Sequence, residues 1–152
     1  MALVAMDTRI LVVEDDLLNR MFLCATLETG GYEVRMVTDG AHAIAAAHEF
    51  APDLITMDIN LPNVSGVQLI RRLKADPKFA NTPVLAITAY VGPGEEREIR
   101  RAGATDFLAK PISIKTLLGS VASLLDARDA APAQEALQMP TGAAQRGYPR
   151  NP

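Results

Sequence analysis

VVEDD, residues 12–16, closes the apolar run RILVV (Arg9–Val13) with three consecutive carboxylates. A run of that kind reads as a strand buried on both faces. Charge stacked at its end is costly, because two carboxylates about 4 Å apart repel by roughly 4 kcal/mol at an effective dielectric near 20. Either water or a cation must settle them, and the rest of the chain decides which.

Outward from this stretch, apolar runs alternate with helical periodicity. Leu18, Met21, Phe22 and Ala25 recur at helical spacing, and Gly30-Gly31 stops that helix. YEVRMV (Tyr32 to Val37) alternates as an edge strand would, and Asp39 is placed to cap a helix running from Ala41 to Phe50. DLITM (Asp53 to Met57) and TPVLAIT (Thr82 to Thr88) read as strands, with a helix from Leu69 to Lys74 between them. GPGEEREIRRAG gives a fourth helix and TDFLA (Thr105 to Ala109) a fifth strand. The last helix presents Ile114, Leu117, Leu118, Val121, Leu124 and Leu125 as its apolar face. Five strands alternating with five helices predict an α/β fold, a doubly wound parallel sheet with helices on both faces.

At 152 residues the chain suits one domain. A net charge of −3, from 15 basic and 18 acidic side chains, argues against nucleic-acid binding. The single Cys24 excludes an internal disulfide and fits a reducing compartment. The N-terminus shows no signal-peptide pattern, and no run reaches the ~18 apolar residues of a spanning helix. A cytoplasmic protein without membrane contact is expected. Residues 1–8 read as a leader, 9–127 as the domain, and 128–152, rich in Ala, Pro, Gln and Gly, as a disordered tail.

Ligands of open α/β sheets bind outside the carboxyl ends of the strands, at the switch point of strand order. Glu14, Asp15 and Asp16 follow strand one, Asp58 and Asn60 strand three, Thr88 strand four, and Lys110 with Pro111 strand five. Carboxylate oxygens with no His or Cys cluster suit magnesium and disfavour zinc or copper. A neutralised carboxylate beside a lysine and a threonine is a place to receive a phosphoryl group.

With ILVVEDD, PDLITMDINLP followed by NVSG, LAITA and AKPIS in this order over about residues 9–127, the chain resembles a response-regulator receiver domain of two-component signalling. The resemblance implies the strand order 2-1-3-4-5, which general principles also attach to this family. It implies that Asp58 is the phosphoacceptor. Glu14, Asp15, Asp58 and the Asn60 carbonyl would hold Mg2+, and Lys110 and Thr88 would stabilise the phosphoryl group. Phe107 matches the switch aromatic that moves with Thr88, although fixed core packing is the plainer reading of an aromatic on a strand. Tyr90 stands where access is tuned, or is simply a surface residue. Lys110-Pro111 matches the family's cis peptide, and Asp16 reads as a helix cap. The partners implied are a sensor histidine kinase or histidine phosphotransfer protein and a downstream protein target. A homodimer through the fourth-helix, fifth-strand and fifth-helix face is a family-level expectation.

The tail is too short for an output domain, so a stand-alone switch is expected, not an enzyme turning over a metabolite. The fourth helix leaves only Ile99 and Ala102 to bury, which fits a readout element of low local stability. The competing reading is a magnesium-dependent phosphatase with an aspartate nucleophile. That chemistry wants a second acid two residues on, where this chain has Asn60. A flavodoxin-like carrier is opposed by Glu14-Asp15-Asp16, which would repel a phosphate after strand one. His42 and His48 are expected to face solvent, Cys24 to be inert, and Gly66 to serve the turn or helix start after strand three.

Overall fold

A single sheet of five parallel strands, in the order β2-β1-β3-β4-β5, organises the computed structural model, which describes residues 8–90 and 92–147, with side-chain surroundings to residue 130. Apart from Thr8, the expected leader lies outside the described residues, as does the end of the expected tail, 148–152. The strands are β1 (Arg9–Val13), β2 (Glu33–Val37), β3 (Leu54–Asp58), β4 (Val84–Thr88) and β5 (Asp106–Ala109). The helices are α1 (Leu17–Thr29), α2 (Ala43–Phe50), α3 (Gly66–Ala75), α4 (Pro93–Ala102) and α5 (Ile114–Gly147). A short 3-10 turn, Gly40–His42, capped by Asp39, precedes α2.

The three inner strands read as unbroken apolar runs because both faces are covered. Leu11, Val13, Ile55, Met57, Val84 and Ala86 point to the side of α2, α3 and α4. Ile10, Val12, Leu54, Leu85 and Ile87 point to the side of α1 and α5. β2 and β5 are the edges. The expected strand order is the observed one.

Two readings of the apolar pattern are corrected. In α1 the buried residues are Leu23, Cys24, Thr26 and Leu27, whereas Leu18 is 76% and Met21 58% exposed. The helix carries two apolar stripes, so spacing alone could not say which one meets the sheet. In α5, Leu117, Val121 and Leu125 are buried but Ile114 is 58% exposed. Each buried aliphatic side chain contributes about 1.5–3 kcal/mol relative to exposure.

α5 also stays helical to Gly147, past Arg128, where the composition predicts a tail. Alanine, abundant there, is the strongest helix former, and it outweighs Pro132 and Pro140 within the same helix. Packing onto the sheet, as far as side chains are described, stops at Arg128. Its Nη1 reaches Asp53 Oδ1 at 3.0 Å, and Asp53 Oδ2 accepts from the Arg9 amide at 2.8 Å. His42 and His48 are exposed, His48 pairing with Asp76 at 2.8 Å. Cys24 is buried, and burial pushes its thiol up to about 11.

All five strands end at the same rim, and Gly66 is where the loop after β3 turns back against it. A β-carbon at Gly66 would lie 2.3 Å from the Asp58 carbonyl oxygen and 2.7 Å from Ile59 Cα. These are main-chain atoms that cannot yield like a flexible side-chain tip. Gly66→Ala should therefore lower stability by about 1–3 kcal/mol, read from urea-unfolding midpoints. Unchanged midpoints would show that the loop has room to spare.

Candidate functional site

The loop after β1 is set by hydrogen bonds from α1. Asp16 caps that helix, its Oδ2 accepting from the Asn19 amide at 2.9 Å. Arg20, one turn in, donates from Nη1 to the carbonyls of Asp15 (3.0 Å) and Glu14 (3.3 Å). These bonds hold the loop so that Glu14 turns into the sheet rim and is fully buried, while Asp15 stays exposed. On the other side of the β1/β3 switch point, Asp58 ends β3 and is 2% exposed. Its Oδ1 accepts from the Asn60 amide at 2.9 Å.

Oxygens of Glu14, Asp15 and Asp58 lie within 4.8 Å of one another. Lys110 brings the only cation of this group. Its Nζ stands 3.5 Å from Glu14 Oε1 and 3.5 Å from Asp58 Oδ1. It is placed by the end of β5, where its own amide donates to the Thr88 carbonyl at 2.8 Å. The Lys110-Pro111 peptide is cis. Burial, followed by the hydrogen bond and charge of Asp58, pushes the Glu14 carboxyl up to about 7, although Lys110 pulls it down. One ammonium does not offset three carboxylates.

This shortfall is what a hard cation would meet. Glu14 Oε1 is buried and makes no hydrogen bond. Opposite ligands of an octahedral magnesium ion at ~2.1 Å stand ~4.2 Å apart, close to the span of the cluster. The donor set is all oxygen, with one exposed member on the solvent side. The residues present fit the ion, and the backbone carbonyl of Asn60 could join them.

Thr88 ends β4, buried, with its hydroxyl donating to the Tyr90 carbonyl at 2.9 Å. Tyr90 is 66% exposed. Phe107, on the edge strand β5 and paired in register with Ala86, is half-buried and packs on the α2/α3/α4 side of the core. Its position on an edge explains why it is not enclosed. The structure thus gathers Glu14, Asp15, Asp58, Asn60 and Lys110 at one rim, with Thr88 on the neighbouring strand end and Tyr90 and Phe107 flanking it.

Two contributors were hidden in the sequence. Arg20 reads as a solvated helix residue, and only the coordinates show it holding two loop carbonyls. The Asn60 side chain was passed over for its carbonyl, yet its Oδ1 accepts from the Ala89 amide at 2.9 Å, tying the loop after β3 to the loop after β4. A third feature is apolar. Leu17, Leu18 and Met21 of α1 and Ile114 of α5 are all more than half exposed. At the acidic rim a cleft of about 130 Å3 is lined by Glu14, Asn19, Phe22, Lys110, Pro111 and Ile112.

Comparison with known proteins agrees with this geometry. The model of the family described as response regulator receiver domain matches residues 10–122. The chain is 38% identical over 120 residues to the polar-differentiation response regulator DivK of Brucella anthropi, spanning 79% of this chain and 98% of that protein. Its fold is similar to the chemotaxis response regulator CheY4 of Vibrio cholerae, with TM-score 0.73 and 31% identity over 77% of this chain and 98% of that one. It is also similar to the receiver domain of a sensor histidine kinase from Pseudomonas aeruginosa, described with a magnesium ion coordinated in its active site cleft. There the TM-score is 0.73 and the identity 32%, over 78% and 98% of the two chains. Among the described residues no helix is long and apolar enough to cross a membrane.

The raised Glu14 carboxyl has a stability consequence with a definite sign. Between its ordinary value of 4.5 and about 7, the folded chain holds a proton that the unfolded chain has lost. Metal-free stability contributed by this group therefore falls as pH rises through that window. Glu14→Gln should abolish the fall and leave the metal-free protein more stable than wild type at pH 8, on the order of 2 kcal/mol. Millimolar magnesium should stabilise wild type and have much less effect on the variant. Urea midpoints in EDTA and in magnesium, at pH 5 and pH 8, measure both.

Proposed function

The chain belongs to the response regulator receiver domain family, and from that premise we propose that Asp58 accepts a phosphoryl group from a protein histidine. The observation that carries the reading is the placement of Lys110 Nζ at 3.5 Å from both Glu14 and Asp58, with Asp15 completing the cluster.

A carboxylate oxygen of Asp58 attacks phosphorus in line with the phosphohistidine nitrogen. The P–N bond breaks, its electron pair returns to the imidazole, and the ring takes up a proton. Glu14, Asp15, Asp58 and the Asn60 carbonyl would hold magnesium, which when bound neutralises charge on the transferring phosphoryl oxygens. Lys110, already beside Asp58, grips another of those oxygens. The Thr88 hydroxyl leaves the Tyr90 carbonyl and donates to the phosphoryl group, and Phe107 moves in step with Thr88. Tyr90, at the exposed edge, screens access of water to the acyl phosphate.

The added group brings up to about two negative charges. It shifts the population only by favouring the rearranged state, and a shift from 1:99 to 99:1 requires ~5.5 kcal/mol of such preference. α4 has only Ile99 and Ala102 buried, so little apolar contact holds it against moving. Output is a protein contact, or relay to another histidine protein, and homodimerisation through α4, β5 and α5 belongs to the same proposal. The phosphatase alternative lacks its acid, since Asn60 at that position accepts the Ala89 amide and has no proton of the required acidity.

The phosphodonor must bring its histidine to the acidic rim. The exposed Leu18 and Met21 lie on α1, whose Phe22 lines the cleft at that rim, and with Ile114 they suit the helical surface of a sensor kinase or phosphotransfer protein.

Two measurements test the reading. Incubated with phosphoramidate and magnesium and weighed intact, wild type should gain one phosphoryl mass and Asp58→Asn none. An equal gain on both proteins removes Asp58 from its role. Leu18→Asp should label from phosphoramidate as wild type does, yet accept phosphate from a cognate histidine protein about tenfold more slowly, a loss of about 1.4 kcal/mol at the interface.

A further inference from the structure

Arg100, on α4, has three partners on two elements. Its guanidinium carbon lies 5.0 Å from the centroid of the Phe107 ring. Its Nε stands 3.3 Å from Glu96 Oε2, one turn back on the same helix, and its Nη2 stands 3.6 Å from Asp106 Oδ1 on β5. That Asp106 oxygen also accepts the Phe107 amide at 2.9 Å. The side chains of Arg97 and Arg101, on the same helix, make no ion pair among the described residues. Arg100 alone is turned onto the aromatic ring.

The ring needs such a partner because β5 is an edge. On one side Phe107 packs against the core beneath α2, α3 and α4. On the other no strand covers it, and the guanidinium does. Glu96 orients the cation and Asp106 anchors it beside the residue it covers.

We propose that Arg100 is a latch on Phe107: stacked on the ring and tied to Glu96 and Asp106, it holds the aromatic in its half-buried position in the unphosphorylated chain, and switching requires that it let go. This rests on the reading of Phe107 as the aromatic that moves with Thr88. Arg100 acts through Phe107 and touches neither phosphate nor metal, so it is a positioning residue. The strength of the contact suits the role. A half-exposed cation–π contact with exposed ion pairs biases a two-state equilibrium only a few-fold, which a new aspartyl phosphate overrides. The bias is also local, because α4 has little else to keep it in place.

The test follows the Phe107 ring by NMR in full-length protein with labelled phenylalanine. Wild type, Arg100→Ala, Arg100→Lys and Asp106→Asn are each recorded alone and with magnesium and beryllofluoride, which mimics the phosphoryl group. In unphosphorylated Arg100→Ala the Phe107 resonance should move part-way along the line joining the two wild-type end points. Initial labelling by phosphoramidate should rise about two- to five-fold, the population change matched to an exposed cation–π contact. Arg100→Lys should fall between Ala and wild type, because an ammonium lacks the planar fork, and Asp106→Asn should move the same way by less. The end points with beryllofluoride should coincide. If the wild-type ring shifts with beryllofluoride while Arg100→Ala matches wild type in both resonance and rate, the latch is overturned and the switch reading stands. A resonance displaced off that line overturns the latch as well, since it reports loosened packing. A wild-type ring indifferent to beryllofluoride overturns the switch reading, and the latch falls with it.

Discussion

The structure depends on a shortage of positive charge. Two of the buried or half-buried groups at the rim, Glu14 and Asp58, flank the β1/β3 switch point, and Asp15 joins them from the loop, with Lys110 as the one cation among them. Burial and the neighbouring Asp58 keep Glu14 from ionising readily. A chain selected for stability alone would place an apolar residue or a capping hydroxyl here. The donor set fits a divalent cation, which would neutralise the carboxylates.

Everything nearby serves to keep those groups together at the rim. The parallel sheet ends all its strands on one side, and caps do the finer placement. Asp16 starts α1 and Arg20 holds the loop carbonyls, so Glu14 points inward. Gly66 lets the backbone of α3 approach the Asp58 carbonyl more closely than any side chain would allow. The Lys110 amide is tied to the Thr88 carbonyl, so the lysine and the threonine of the site sit on hydrogen-bonded strands.

Much of this was legible in the sequence because its cause is local. A strand covered on both faces must be an apolar run, and a polar residue ending such a run must lie at the rim; the ends of strands one, three, four and five carry the site. The Asp16 cap follows from residue type and place. The choice of face for α1 did not follow, because Leu18 and Met21 compete with Leu23 and Leu27 at the same helical period. The sequence offers two stripes, and only the sheet beneath chooses. Nor did the continuation of α5 past Arg128 follow, since tail-like composition and helix propensity pull in opposite directions in an alanine-rich segment. The side-chain bonds of Arg20 and Asn60 join residues whose meeting is decided by loop geometry, and no spacing rule encodes it.

The stripe that α1 leaves in solvent gains its meaning from position. Exposing Leu17, Leu18, Met21 and Ile114 forgoes burial of about 1.5–3 kcal/mol per side chain, and the same helix α1 supplies Phe22 to the cleft at the acidic rim. On the opposite flank, α4 forgoes burial in another way, with a charged surface and two buried residues. The first face leaves apolar area open to a partner, and the second has little apolar contact to hold it in place. Thr88 and Lys110 lie between them, on adjacent strand ends. On the function proposed above, a signal entering beside α1 need not cross the core to reach α4; it would have only to change which oxygen the Thr88 hydroxyl, now on the Tyr90 carbonyl, serves.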